Sequence, residues 1–522
     1  MQQKRTGFGS KLHVWLTTSL VLTAFCVPVV AHGQVIAPPA APKSPAPQAP
    51  MTKDQALELF KSVDEILDFV SSDSKLPIVH SVKRRLISRD EVNAYLKKKF
   101  DEDEGAKRLQ RSEIVLKKFG LLDRDFHLRN FLISLLTEQI AGFYDNKSKT
   151  VNLLDWIEPE EQKPVLAHEL THALQDQHVD LTKWSDVSPE GVALNSQEDN
   201  HHLQMDEADT ARTAVAEGQA MVTFIDYSLR PTRRTLVDSP ELADRLKESV
   251  ADSNGSPVLA RAPLLLQQSL IFPYSEGLSF EQAILQKSGV EAAFAGTLDH
   301  PPNTSFEIMT PAAYLSHTLV PVPLLPDIHP LLDADYIPYD IGAMGELDVE
   351  ILTELFGGQQ MAKALAPAWN GGIYYAAQKR SATTAAEKES TASIALLYSS
   401  HWKNPDSARS FQRVYVDQLP RKYSHLQRRQ KDELDDSEQV YSTSEGDVLI
   451  CTSGSGVFIA EGFPLPLARK LRDLITSVQA DGPVQVVQAE PHELSLDFAH
   501  TLSSFGILKA ALPQRYTFIE QK

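Results

Sequence analysis

The segment Val165-Leu-Ala-His-Glu-Leu-Thr-His-Ala-Leu-Gln-Asp-Gln-His178 holds two histidines four residues apart, His168 and His172, with Glu169 directly after the first. On a helix, positions i and i+4 stand one turn apart on one face. Two imidazoles in that relation can meet one Zn²⁺ at about 2.0–2.1 Å each. Glu169 projects from a neighbouring position. It lies too far round to be a third ligand, but it is well placed to hold a water on the metal. Zinc lowers the pKa of such a water towards neutrality, and the carboxylate takes its proton. The expected cofactor is one Zn²⁺ per chain, and the expected chemistry is hydrolysis.

A catalytic zinc takes a third protein ligand and keeps one position open. Glu217, in Ala214-Val-Ala-Glu-Gly-Gln-Ala-Met-Val-Thr-Phe224, is the best candidate. A carboxylate in an otherwise apolar helical stretch is costly to bury unless a cation satisfies it. Glu207, Asp209, His201 and His202 are the alternatives, with the two histidines expected in a solvated polar loop. His178 lies one and a half turns past His172 and faces elsewhere. Asp206, Asp209 or Asp226 could orient a ligand histidine. A hydrolase of peptides also needs a donor for the oxyanion. Tyr144, Tyr227, Tyr274 and His300 are candidates, and a buried tyrosine with a bonded hydroxyl is the bland alternative for each phenol.

These residues need elements to hold them. Glu160 to about Gln177 reads as a helix with Pro164 in its first turn, where proline is tolerated. Asp206–Leu229 is a long helical pattern. Two short β-like runs, Ile140–Asp145 and Thr150–Asp155, flank the turn Asn146-Lys-Ser-Lys149 and read as a hairpin. Its second strand is expected to pair with extended peptide. Upstream, Thr52–Val70 carries a helical apolar stripe with Thr52 as N-cap. Ser88-Arg-Asp-Glu91 opens a capped helix, and Ala106–Phe119 and Leu128–Glu138 are further helices. Residues 181–205 read as loop, and 299–339, rich in proline, as ordered loop. Ser279–Ser288, Leu347–Leu355 and Thr383–Ser400 read as helices. From about Asp447 the pattern alternates: strands 447–452, 457–460 and 484–488, with a helix at 465–478.

The chain has 522 residues, and 51 Lys+Arg against 69 Asp+Glu give 51 − 69 = −18. With 42% apolar and 23% charged residues it has the composition of a globular protein, which excludes wholesale disorder and a polytopic membrane protein. The acidic balance supplies no field for phosphates, so no nucleic-acid partner is expected. Lys4, Arg5 and Lys11 precede the apolar run Val14–Val30, and small residues follow at Ala31 and Gly33. That is the pattern of a cleaved export signal. Phe25, before Cys26, argues against lipidation. The protein is therefore expected to be periplasmic or extracellular, touching a membrane only through an uncleaved signal. Cleavage leaves Cys451 as the sole cysteine, so no internal disulfide forms. It reads as a buried small apolar residue in a strand.

His-Glu-Leu-Thr-His-Ala-Leu-Gln-Asp-Gln-His, with a downstream helix carrying Ala-Glu-Gly-Gln-Ala, resembles the gluzincin zinc metallopeptidases, whose ligands are two His and one Glu. It is more similar still to a group of exported bacterial gluzincin-like proteins. The residues that carry this likeness are Glu138-Gln-Ile-Ala-Gly-Phe-Tyr-Asp145, Glu217-Gly-Gln-Ala220, Phe272-Pro-Tyr-Ser-Glu-Gly277 and Pro301-Pro-Asn-Thr-Ser-Phe-Glu307. The likeness spans roughly residues 85–380. It implies that His168, His172 and Glu217 bind zinc and that Glu169 is the general base. Tyr274, inside the shared Phe-Pro-Tyr, and His300, just before Pro301-Pro302, are carried forward as further catalytic candidates. The chain departs from the thermolysin pattern. The third ligand follows the second His by 217 − 172 = 45 positions rather than about twenty, and Met221 replaces an acidic residue of the thermolysin-type helix.

The expected fold is α+β and predominantly helical. It comprises a signal peptide (1–33), a Pro/Ala-rich linker (34–51) and a helical N-terminal region (52–137). A zincin-like domain (138–440) would hold a short β-hairpin, the His-Glu-x-x-His helix and the third-ligand helix, and a small α+β unit (441–522) would follow. The expected function is an exported zinc metallopeptidase acting on peptide or protein substrates. The alternative is a catalytically silent protein of zincin fold that binds envelope proteins or peptides.

Overall fold

Thr52 caps the first helix, as its sequence predicts: its hydroxyl accepts from Gln55 N, and the Gln55 side chain reaches back to the cap. The computed structural model describes residues 51–102, 104–184, 195–245, 257–318 and 322–478, all within one unit spanning Gln48–Lys522. The side chains of 99–102, 104–110, 139 and 478 are not described. The expected signal, most of the linker and the strand at 484–488 lie outside the described residues.

The longer elements of the first half, in order, are α1 (Lys53–Ser74), β1 (Lys83–Ile87), α2 (Arg89–Glu102), α3 (Glu104–Phe119), α4 (Leu128–Gln139), β2 (Phe143–Asp145), β3 (Thr150–Leu154), α5 (Pro159–Val179), α6 (Ser196–Leu229) and α7 (Leu264–Ser288). The second half adds β4 (Tyr336–Ala343), α8 (Glu346–Gly357), β5 (Trp369–Lys379), β6 (Ile394–Trp402), α9 (Pro405–Lys422), β7 (Gln427–Arg428), β8 (Glu438–Thr443), β9 (Gly446–Ser453), β10 (Gly456–Glu461) and α10 (Leu465–Val478). The fold is mixed α+β and mostly helical. Among the described residues no helix is long and apolar enough to cross a membrane.

Helices α5 and α6 are the centre. Every residue from Pro164 to Asp176 on α5 and from Thr213 to Asp226 on α6 is buried. A helix covered on all sides carries no polar outer face. The polar side chains in these stretches must therefore find partners inside the protein. Thr171 and Thr223 share a hydroxyl–hydroxyl bond of 2.5 Å across the α5–α6 contact. Helix α7 crosses α6 where Gly218 faces Gly277, so backbone meets backbone without intervening side chains.

The hairpin forms, with β2 antiparallel to β3, but β3 is not an edge. β1 pairs with its other side in parallel, Lys83 opposite Thr150 through Ile87 opposite Leu154. The sheet order is β1-β3-β2. The expectation that the Thr150–Asp155 strand meets a peptide is therefore corrected: its hydrogen-bonding edges are both occupied, and within this sheet β2 and β1 are the outer strands. β1 eluded the sequence reading because Lys83-Arg-Arg-Leu-Ile87 buries only Ile87 fully and offers little apolar alternation.

The second sheet runs β4-β5-β6-β10-β9-β8-β7. It crosses the expected boundary at 440, since β10 pairs antiparallel with β6, Val457 opposite Ser400. Strands on both sides of that boundary share one hydrogen-bonded sheet. The N-terminal region joins the rest in the same way, through β1 and through Lys118 of α3, a fully buried ammonium bonded to Glu445 at 2.8 Å. The helix expected over Thr383–Ser400 is corrected as well. Only Ala385–Lys388 is α-helical, Thr391–Ser393 makes one 3-10 turn, and Ile394–Trp402 is the strand β6. Eight of its nine residues are buried, and a strand covered on both faces reads as a continuous apolar run that periodicity cannot distinguish from helix.

Candidate metal centre

α5 sets His168 and His172 on one face, and α6 brings Glu217 to meet them. His168 Nε2 lies 3.0 Å from Glu217 Oε2 and 3.1 Å from His172 Nε2, and His172 Nε2 lies 3.5 Å from Glu217 Oε2. A tetrahedral ion with bonds of about 2.0–2.1 Å holds its ligands about 3.3 Å apart. Two imidazole nitrogens and one carboxylate oxygen at these separations fit Zn²⁺ in donor type and in spacing. All three side chains are fully buried, and they form the group among the described residues able to hold a metal.

The charges of the three are coupled. Burial works against the Glu217 carboxylate, but the two imidazoles outweigh it and hold its pKa well below the ordinary value. Burial likewise opposes charge on His172, yet Glu217 pulls its pKa up to about 9. Burial dominates at His168 and lowers its pKa, although Glu217 and the Ala220 backbone favour its charged form. The cluster thus holds a buried anion that draws a positive charge to itself, which either a protonated His172 or a bound cation can provide.

Glu169 turns to the other side of the cluster. Its Oε2 accepts the Tyr144 backbone N–H at 2.8 Å, so β2 holds the carboxylate in place. Its Oε1 has no hydrogen-bond partner, and the side chain is fully buried. Burial raises its pKa to about 7, with Glu217 adding to the rise while His172 and the Tyr144 N–H pull it down. A carboxyl poised near neutrality can both take and return a proton.

Of the four oxyanion candidates, the structure brings Tyr274 to the cluster. Its ring stacks on His168, with centroids 6.2 Å apart and planes 16° from parallel. Its buried hydroxyl lies beside Glu217 without reaching good hydrogen-bond geometry. Burial first, then the Glu217 and Glu169 carboxylates, push its pKa well above the ordinary value and keep it a neutral donor. Tyr144 is committed elsewhere, its hydroxyl donating to Asp176 at 2.6 Å. Tyr227 packs edge-on against Phe69 of α1. His300 is exposed at the end of the short helix Thr297–Asp299, and its carbonyl accepts from Tyr314.

The rival ligands fall at other places. Glu207 is buried but accepts from the Ser305 amide and hydroxyl. The expected loop at 181–205 is helical from Ser196, with Asn195 as N-cap, so His201 and His202 sit on α6. His201 is exposed, whereas His202 is buried and 3.5 Å from Asp206, correcting the expectation that both are solvated. Two of the three expected orienting aspartates are engaged away from His168 and His172: Asp206 accepts from Ala343 N and Asp226 from Leu236 N.

The partner of His172 is instead Gln175. His172 Nδ1 lies 2.8 Å from Gln175 Oε1. Gln175 Nε2 donates to the Ala216 carbonyl at 2.9 Å and to Gln219 Oε1 at 2.8 Å. The sequence reading missed both glutamines. Gln175 carried a spacing signal, since it stands at i+3 from His172 on the same face, whereas Gln219, two residues after Glu217, falls on a different face and carried none. Compared with protein-family models, with curated proteins and with solved structures, the chain matches none.

Proposed function

We propose that this protein is an exported zinc metallopeptidase of gluzincin type, with His168, His172 and Glu217 as ligands. The supporting observation is the convergence of these three buried donor atoms beside Glu169 Oε1, a buried oxygen without a partner, and Tyr274 Oη, whose polar neighbour, the Glu217 carboxylate, is poorly aligned. Such atoms are costly unless something polar meets them, and a scissile amide with its attacking water would satisfy both. A zinc ion held there supplies Lewis acidity towards a carbonyl and towards water. Glu169 Oε1 accepts the proton of the attacking water and passes it to the leaving amine, while the Tyr144 amide keeps the carboxylate from turning. Tyr274 Oη donates to the developing oxyanion. The sheet with α5 and α6 forms the zincin-like core, and an extended substrate lies along β2 rather than β3.

The test is digestion of a mixed peptide pool by the purified chain of residues 34–522. We expect hydrolysis that a chelator removes and added Zn²⁺ restores. Hydrolysis indifferent to chelation would overturn the proposal. The reading as a silent binder has one observation in its favour: the ligands and Glu169 are fully buried and Tyr274 is 1% exposed, so a substrate must displace covering residues to reach them. A chain that binds zinc and cleaves nothing in the pool would support that reading.

A further inference from the structure

An amide beside His172 Nδ1 could present either its oxygen or its nitrogen. Backbone carbonyls remove that choice here. A carbonyl can only accept, so the Ala216 carbonyl, 2.9 Å from Gln175, fixes the Gln175 nitrogen towards α6 and its oxygen towards His172. The second hydrogen of that nitrogen goes to Gln219 Oε1, 2.8 Å away. Gln219 is fixed by the same logic. Its Nε2 reaches the carbonyls of Ala293 and Phe294, both at 3.0 Å, and Thr297 Oγ1 at 2.9 Å. These carbonyls belong to the π-helical turn Ala292–Gly296, a departure from α geometry of the kind found at functional sites.

We propose that Gln175 and Gln219 form a hydrogen-bond relay, anchored on the Ala216 carbonyl and the π-turn carbonyls, that holds His172 as its Nδ1–H tautomer and aims its Nε2 lone pair at the metal. Both are positioning residues, and Gln219 acts only through Gln175. The inference rests on the reading of the cluster as a metal site. Charge explains why the relay is made of amides. A divalent ion with the carboxylates of Glu217 and Glu169 sums to zero, and a carboxylate at either relay position would add an uncompensated charge to a dry core. The alanine-rich face of α6 lets Gln175 reach the Ala216 carbonyl directly.

The experiment compares the chain of residues 34–522 with Gln175→Leu, Gln219→Leu and the double variant. Zn²⁺ affinity is measured by competition with a chromophoric chelator, and the visible bands of the Co²⁺-loaded protein report ligand geometry. Gln175→Leu is expected to weaken Zn²⁺ binding by roughly 10–100-fold and Gln219→Leu by a smaller factor, since the Ala216 carbonyl still holds Gln175 there, and both shift the Co²⁺ bands. The double variant binds no more weakly than Gln175→Leu alone, because the two residues act in series. Gln219→Met, of similar length, replaces Gln219→Leu if the latter does not fold. Unchanged affinity and unchanged Co²⁺ bands in the Gln219 variant, or additive losses in the double variant, would overturn the relay. A wild-type chain that binds no metal would overturn the proposed function, and the relay with it.

Discussion

On the proposed function, Glu169→Gln is expected to leave zinc in place and to lower peptide hydrolysis by roughly 10²–10⁴-fold, the usual contribution of a positioned general base. The substitution is nearly isosteric. The amide oxygen can still accept the Tyr144 N–H that now bonds Glu169 Oε2 at 2.8 Å, so the local packing has no reason to change. What is lost is the capacity of the second oxygen to take a proton. The ligands stay as they are, because Glu169 is not one of them. Turnover of the peptide pool and metal content, measured on the same preparation, check this. Full activity in the variant would remove Glu169 from the mechanism. Loss of zinc together with activity would make it a metal-site residue and leave the general base unassigned.

Gly277→Ala is expected to give the largest loss of stability from a single methyl group. A Cβ there would stand 2.1 Å from the Ala214 carbonyl oxygen and 3.2 Å from Gly218 N. The reverse substitution, Gly218→Ala, meets the Gly277 oxygen at 2.3 Å. Both clashes are with backbone, so no side-chain rotation relieves them and α6 must part from α7. Overpacking of a core typically costs about 1–3 kcal/mol, and more where the backbone must shift. The consequence reaches the site, since Gly218 follows Glu217 and α7 carries Tyr274. Gly277→Ala should therefore lower both the urea midpoint and the zinc affinity. Gly296→Ala is the control, because its nearest neighbour would be 3.4 Å away, and it should change stability by less than about 1 kcal/mol. A wild-type urea midpoint in Gly277→Ala would contradict the close crossing.

The parts of the site visible in the sequence were the parts fixed by local geometry. The four-residue spacing of His168 and His172 is a property of one helix. Glu217 stood out because a charge in an apolar helical run requires a counter-charge wherever it folds. Thr52 announced its helix as an N-cap and Ser88 through a capping box; both form, and at Thr52 the Gln55 side chain completes a box as well. The parts that were missed depend on partners distant in sequence. Nothing local tells that Gln175 will meet the Ala216 carbonyl, or that β10 will pair with β6 across more than fifty residues. β6 itself was misread because burial on both faces removes the alternation that identifies a strand. Residue type alone did not separate Tyr274 from Tyr144 and Tyr227; its place in the shared Phe-Pro-Tyr segment set it apart, and the crossing of α7 on α6 brings it to the cluster while leaving His300 exposed.

Metal content tests the central claim most directly. The purified chain of residues 34–522 and its Glu217→Ala variant would be compared by elemental mass spectrometry after equilibration with Zn²⁺ and removal of the excess. The variant removes the one anionic donor of the set, leaving two imidazoles on α5. The account predicts about one zinc per wild-type chain and a small fraction of that in the variant. Zinc at equal stoichiometry in both, or in neither, would contradict it.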